Sequence, residues 1–191
     1  MTRLLIAAVL SLFAGFAHAI PIVYVASLSG PNESPPVDSP GTGFARVTFD
    51  DTAHTMRVEV TFEDLVGPTT VAHIHCCTAT PGVSTAGVAT TTPTFPGFPA
   101  GVTFGTYDQL FDLTLASSWN SVFITASGGT AGAEAALATG LAEGRAYLNV
   151  HSSFAPTGEI RGFLRVPEPG TLALLGLALA GLGFARRRTV E

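Results

Sequence analysis

The stretch TMRVEVTF, residues 55–62, decides the fold class because apolar and polar side chains alternate along its whole length. Met56, Val58, Val60 and Phe62 fall on one face, and polar side chains fall on the other. A period of two is that of a β-strand with one buried face. The segment FARVTFD, residues 44–50, alternates in the same way, and the short DTAH turn between the two predicts an antiparallel hairpin.

Further strand candidates lie on both sides of this hairpin, separated by turn-forming residues. They are IVYVASLS from residue 22, VAHIH at 71–75, YDQLFDLTL at 107–115, SVFITA at 121–126, RAYLNVH at 145–151 and GEIRGFLRV at 158–166. A Thr/Pro/Gly-rich tract at 78–106 predicts a long loop, and the Ala-rich residues 130–141 predict one short helix. Seven or eight strands with one helix predict an all-β fold, an antiparallel sandwich or barrel.

The N-terminal end has the pattern of a secretory signal peptide. Arg3 supplies the positive charge, residues 4–16 form an uninterrupted apolar core, and Ala17 and Ala19 flank a small-x-small cleavage site. An apolar run of about 13 residues is too short to span a bilayer as a helix. We therefore expect a signal peptide at 1–19, with cleavage by signal peptidase after Ala19.

The C-terminal end has the pattern of a membrane segment. Residues 171–185 carry no charge, and three arginines follow at once. An arginine cluster marks the cytoplasmic side under the positive-inside rule. We expect a transmembrane helix at about 171–185, which holds the folded domain, residues 20–165, on the side of the membrane away from the cytoplasm.

The composition of the central domain excludes one class of partner. The chain has no lysine, and four of its arginines lie in the two end segments. The domain is therefore more acidic than the formal net charge of -5 indicates. A surface without a basic run argues against nucleic acid as a partner.

The segment VAHIHCC, residues 71–77, is the main candidate for chemistry. His73 and His75 share one face of a strand, about 7 Å apart at ~3.3 Å per residue. If the strand of His151 is a neighbour, three imidazoles meet and suit Zn or Cu. Glu159 is then either a fourth ligand or an acceptor behind the ligands that orients a ring. The alternative is a polar network in which the histidines hold the long loop above them.

Cys76 and Cys77 admit four interpretations. An exported protein meets oxidising conditions, which favours disulfides. The pair forms a vicinal disulfide, bridges two molecules, stays as free thiols, or supplies thiolate ligands beside the histidines. We favour the vicinal disulfide as a rigid turn at the strand's exit.

The C-terminal segment contains three elements in order: Val166, Pro167, Glu168 and Pro169, then the apolar residues 172–184, then Arg186, Arg187 and Arg188. A Val-Pro-Glu-Pro motif, a short apolar helix and a terminal arginine cluster resemble the bacterial PEP-CTERM sorting signal. The resemblance covers 166–191 and implies a Gram-negative bacterium, export, and processing by an exosortase.

Four short segments of the central domain occur in a characteristic order: GPNESPP at 30–36, HIH at 73–75, NVH at 149–151 and GEIRG at 158–162. With these segments the domain resembles the CHRD domain, a module widespread in bacterial exported proteins. The resemblance implies a Greek-key-like β-sandwich, immunoglobulin-like or superoxide-dismutase-like, and no established activity.

These observations predict a non-enzymatic, exported structural or interaction domain. It would be membrane-anchored in transit and then displayed at the cell surface or released into the extracellular matrix, where polysaccharide or other matrix material is a potential partner. The alternative is a metal-binding or metal-dependent redox domain centred on His73, His75 and His151.

Overall fold

Seven antiparallel strands carry the fold. The computed structural model describes residues 20–168. The strands are β1 (Ile22–Ser29), β2 (Thr42–Asp50), β3 (Thr55–Glu63), β4 (Thr69–His75), β5 (Gly105–Asp112), β6 (Tyr147–Ser152) and β7 (Ile160–Phe163). They form one half-barrel sheet in the order β4-β6-β7-β1-β2-β3-β5. The predicted all-β class is confirmed, and the Greek-key-like sandwich, immunoglobulin-like or superoxide-dismutase-like, stays a prediction.

The predicted hairpin is present, and its alternation builds the core. Asp50 pairs with Thr55 across the turn, and the ladder continues to Thr42 and Glu63. The buried side chains of β2 and β3 are those that the period of two indicates: Ala45, Val47, Phe49, Met56, Val58, Val60 and Phe62. Burying a large aliphatic or aromatic side chain contributes about 1.5–3 kcal/mol. A charge at Val58, which is fully buried, would therefore disrupt the sheet.

The segment SVFITA is helical, so the strand predicted there is wrong, and the domain has two helices where the sequence predicts one. Helix α1 (Ser121–Ser127) precedes α2 (Thr130–Ala142). The side chain of Asn120 caps α1 by accepting the backbone N–H of Val122 at 3.0 Å. Gly128, with φ 78°, ends it in the left-handed conformation. These two caps override the β preference of the branched residues between them.

Helix α2 covers the sheet from one side. The prediction of a helix at 130–141 is confirmed. Ala133, Leu137 and Leu141 follow one another at helical spacing and are buried in the core. No helix among residues 20–168 is long and apolar enough to cross a membrane. The predicted signal peptide at 1–19 and the predicted membrane helix at about 171–185 lie outside the described residues.

The loop between β4 and β5 covers the free edge of β4. The backbone N–H of Ala89 donates to Ile74, and that of Phe95 donates to Ala72, at 2.9 and 3.1 Å. The ring of Phe95 is fully buried. Because the loop satisfies the backbone of an edge strand, it protects that edge and also forms a lid over the face that carries the histidines.

Candidate functional site

The sheet brings together three histidines that are distant in the sequence. Strands β4 and β6 are neighbours, with His73 paired to Asn149 and Val71 paired to His151. His73 and His75 lie on one face because the strand period is two. The ring centroid of His151 lies 5.4 Å from that of His73 and 6.0 Å from that of His75. One potential ligand atom of each residue lies within 4.8 Å of those of the other two.

Each imidazole holds a loop with one of its nitrogens. His73 Nε2 donates to the Pro93 carbonyl at 2.5 Å, and His75 Nδ1 donates to the Ala86 carbonyl at 2.9 Å. His151 Nδ1 donates to the Pro156 carbonyl at 3.0 Å. These bonds fix the tautomer and the orientation of each ring. The histidines therefore form the polar network that the sequence allows as an alternative.

Among the described residues, the second nitrogen of each ring has no hydrogen-bond partner. His73 Nδ1, His75 Nε2 and His151 Nε2 are buried without a hydrogen bond among the described residues. Burial lowers the pKa of all three histidines, and that of His75 falls to about 4. The rings are therefore neutral at pH 7. Since the loop-bonded nitrogen of each carries the proton, the unpartnered nitrogen carries a lone pair.

Three such lone pairs in a buried cluster fit a divalent metal ion. Imidazole nitrogen is a ligand that both Zn²⁺ and Cu²⁺ prefer, and three protein ligands leave one coordination position open. The backbone carbonyls that accept from the rings are typical of partners that orient metal-binding histidines. Within residues 20–168, His73, His75 and His151 are the group of potential ligand side chains that lie close enough together to share one ion.

Glu159 does not take the role beside the rings that the sequence predicts, because its carboxylate bonds other residues. This fully buried carboxylate accepts from the Ser39 hydroxyl at 2.7 Å and from the backbone N–H of Val66 at 2.6 Å. It also accepts from the Ser152 hydroxyl. In the described part of the chain it bonds none of the three histidines, because Glu159 lies just before β7 and faces the loop after β3. Its function there is to fix loops.

Cys76 and Cys77 form a vicinal disulfide at the exit of β4. Neither thiol is free, and neither sulfur belongs to the histidine group. Both sulfurs lie against Gly140 of α2, where a Cβ would collide with them. The disulfide therefore connects the end of the histidine strand to the helix that covers the core.

Comparison with protein families identifies the described region. A model of the CHRD domain matches residues 24–164. The chain belongs to the CHRD domain family. A second model, the PEP-CTERM protein-sorting motif, matches residues 165–188 and implies exosortase processing and export. Searches of the curated proteins and of the solved structures find no match.

A buried ion pair of the CHRD domain, Arg161 with Glu33, lies near the histidines, and the sequence interpretation missed it. Arg161 lies 3.7 Å from Glu33 and stacks over the ring of Tyr147, 4.8 Å from its centroid. Tyr147 in turn stacks on His75. Burial raises the pKa of Glu33 to about 7 although Arg161 opposes the shift. The sequence could have indicated both residues, because Glu33 lies in GPNESPP and Arg161 lies in GEIRG, two of the segments that carry the CHRD resemblance.

The sorting motif follows directly on the last strand contact of the CHRD domain. Arg165 pairs with Val25 of β1 through two backbone hydrogen bonds. Val166, Pro167 and Glu168 come next and are all exposed. Pro169 and Arg186 to Arg188 lie outside the described residues, as do Ala17 and Ala19. The first three motif residues are therefore accessible on the folded domain.

Proposed function

We propose that this protein is a non-enzymatic, exported structural or interaction module that an exosortase sorts. Signal peptidase removes residues 1–19, and the helix at about 171–185 holds the chain in the inner membrane of a Gram-negative bacterium. Exosortase processing near Val166–Pro169 then places the CHRD domain at the cell surface or in the extracellular matrix.

The position of the motif supports this proposal most directly. The match to the sorting motif begins at residue 165, and the match to the CHRD domain ends at residue 164. Residues 166–168 are exposed beyond the last strand pairing, so a processing enzyme reaches them without unfolding the sheet.

Localisation of the full chain tests the sorting step. In cells with an exosortase, the wild-type chain is expected outside the inner membrane, and the Pro167→Ala/Glu168→Ala double variant is expected to remain in it. Pro81→Ala, at an exposed loop proline, is the matched control and is expected to behave as wild type. Release of the double variant at the wild-type level contradicts the proposal.

Metal binding, with or without redox activity, is the second candidate function. The observation that favours it is the convergence of three buried imidazole nitrogens that have no hydrogen-bond partner within residues 20–168. Titration of the metal-free full chain with Zn²⁺ or Cu²⁺ is expected to give one ion per chain.

Two variants make this titration specific. His73→Gln is expected to weaken binding by at least about tenfold, as loss of a ligand or of its support does. His54→Gln is the control, because His54 lies in the β2–β3 turn and pairs with Glu134 instead. Absence of binding to the wild type, or equal binding by His73→Gln, rejects this candidate.

A further inference from the structure

An open cleft lies at the end of the sheet where β2, β3 and β5 meet the loops after β3 and before β5. Its volume is about 940 Å³, and the buried residue Phe62 is among those that line it. Phe44 and Phe104 line it and are 46% and 71% exposed. Exposed aromatic side chains that flank one cleft are typical of a binding surface.

The cleft continues along the outer face of the same three strands. A shallower depression of about 270 Å³ shares three residues with it, which are Phe44, Thr61 and Thr106. The two together form an elongated surface rather than a closed cavity. This shape suits a segment of a linear polymer better than a small molecule that must be enclosed.

Charge along this surface excludes polyanions. The two depressions are lined by the carboxylates of Glu59, Glu63, Asp64 and Asp108 and by one guanidinium, that of Arg46. Arg46 lies 3.5 Å from Glu59, and Arg57 lies 2.5 Å from Asp108, so these charges compensate one another. Glu63 and Asp64 supply the remaining negative charge. Like charges that meet across an interface disfavour binding. An anionic polymer would therefore be repelled.

The chemistry of the lining favours sugars over peptides. Extended peptides bind mainly through the free backbone of an edge strand. Here β2 and β3 have both neighbours in place, so their backbones are already paired, and of the three cleft strands only β5, at one side of the cleft, is an edge strand of the described sheet. The surface instead offers exposed aromatic rings, carboxylates and threonine hydroxyls. Aromatic rings stack on the C–H faces of sugar rings, and carboxylates and threonine hydroxyls form hydrogen bonds with the sugar hydroxyls.

The described start of the tail, residues 166–168, leads away from the cleft. Arg165 pairs with Val25 and the chain then runs towards Ile22, whereas the cleft begins at Thr42, which pairs with Ser29. Val25 and Ser29, the two residues of β1 that mark these positions, are four residues or about 13 Å apart along the strand. A chain held by its C-terminal tail therefore carries the cleft at the opposite end of the sheet from its attachment.

We infer that this cleft binds a segment of an uncharged polysaccharide, with Phe44 and Phe104 as stacking platforms and Glu63 and Asp64 as acceptors for sugar hydroxyls. The inference rests on the proposed function, because it names the partner class of the interaction module.

Affinity electrophoresis of the full chain tests it, in a detergent without a sugar headgroup and in gels that contain hydroxyethyl cellulose, dextran or alginate. Retardation is expected in at least one neutral polymer and not in alginate. Phe44→Ala and Phe104→Ala are each expected to weaken it by about tenfold, the scale of a central aromatic contact. Phe154→Ala, at a 49% exposed phenylalanine outside the cleft, is the control and is expected to change it less than about twofold.

Four results overturn the inference. They are no retardation in either neutral polymer, retardation that Phe44→Ala and Phe104→Ala leave unchanged, stronger retardation in alginate, and self-association that these two substitutions abolish. A chain that is sorted normally but binds no neutral polymer rejects this inference alone. A chain that binds but stays in the inner membrane rejects the sorting proposal alone.

Discussion

The imidazole rings of His73 and His151 lie edge to face, with centroids 5.4 Å apart, although they belong to different strands. In the register of β4 and β6, Val71 lies directly opposite His151 and His73 lies opposite Asn149. His73 and His151 are therefore diagonal neighbours on one face of the sheet. Buried polar atoms normally have a partner, and either a shared cation or an ordered water can supply one to the free nitrogens of these rings. If a cation binds here, its binding and the stability of the fold are coupled.

Metal ions are expected to stabilise the fold through this cluster. A ligand present at about 100 times its dissociation constant raises the free energy of unfolding by ~2.7 kcal/mol. Thermal unfolding with and without Zn²⁺ or Cu²⁺ measures the effect. His54→Gln is expected to retain the increase in melting temperature and His73→Gln to lose it; a wild-type melting temperature that metal leaves unchanged contradicts the expectation.

Glu159→Gln is expected to destabilise the domain by about 2–4 kcal/mol, the scale for a buried charged group that loses its hydrogen bonds. The carboxylate accepts from Ser39 and from the backbone of Val66, and an amide NH₂ facing either donor cannot accept. Urea unfolding measures the change. Glu63→Gln, at an exposed position, is the control and is expected to stay within about 0.5 kcal/mol of wild type. Equal stabilities for both variants would show that the Glu159 network contributes nothing.

Gly140→Ala is expected to destabilise the domain by about 1–3 kcal/mol through overpacking, although alanine ordinarily favours a helix. The added Cβ collides with the sulfurs of Cys76 and Cys77. The control is Gly87→Ala, whose added Cβ meets no atom within 4 Å. Unfolding in urea with the disulfide intact measures both. A more stable Gly140→Ala variant would refute the close packing of α2 on the disulfide.

Glu33→Gln is expected to change how stability depends on pH. The folded-state pKa of Glu33 is raised to about 7 from an ordinary value of 4.5, mainly by burial. The folded state therefore binds more protons between these values, and the contribution of Glu33 to stability falls as pH rises through about 4.5 to 7. Over that window the wild type should lose about 1–3 kcal/mol that the variant does not lose. Parallel pH profiles for the two chains would show that the pKa of Glu33 is ordinary.

The sequence predicts the strands whose pattern is local and complete. The alternation in 55–62 identifies β3, its core face and the hairpin with β2, because side-chain direction in a strand depends only on the period of two. The strand predicted at 121–126 is wrong because the pattern there is incomplete. The branched residues favour a strand, but the caps at Asn120 and Gly128 favour a helix.

The histidine site is predictable only in part. The period of two places His73 and His75 on one face, but the pairing of β4 with β6 is a long-range property that no local pattern contains. For Glu159, the sequence position near β7 does not indicate that its carboxylate faces Ser39 and Val66. Buried polar groups take partners from loops, and the loop paths are what the sequence leaves open.

The intact mass of the protein recovered outside the inner membrane tests the central claim most directly. The account predicts a chain that begins at Ile20 and ends near the Val166–Pro169 motif, and the same preparation from cells without exosortase should retain the C-terminal arginines. A released chain that extends to Glu191 in cells with an active exosortase would contradict the account.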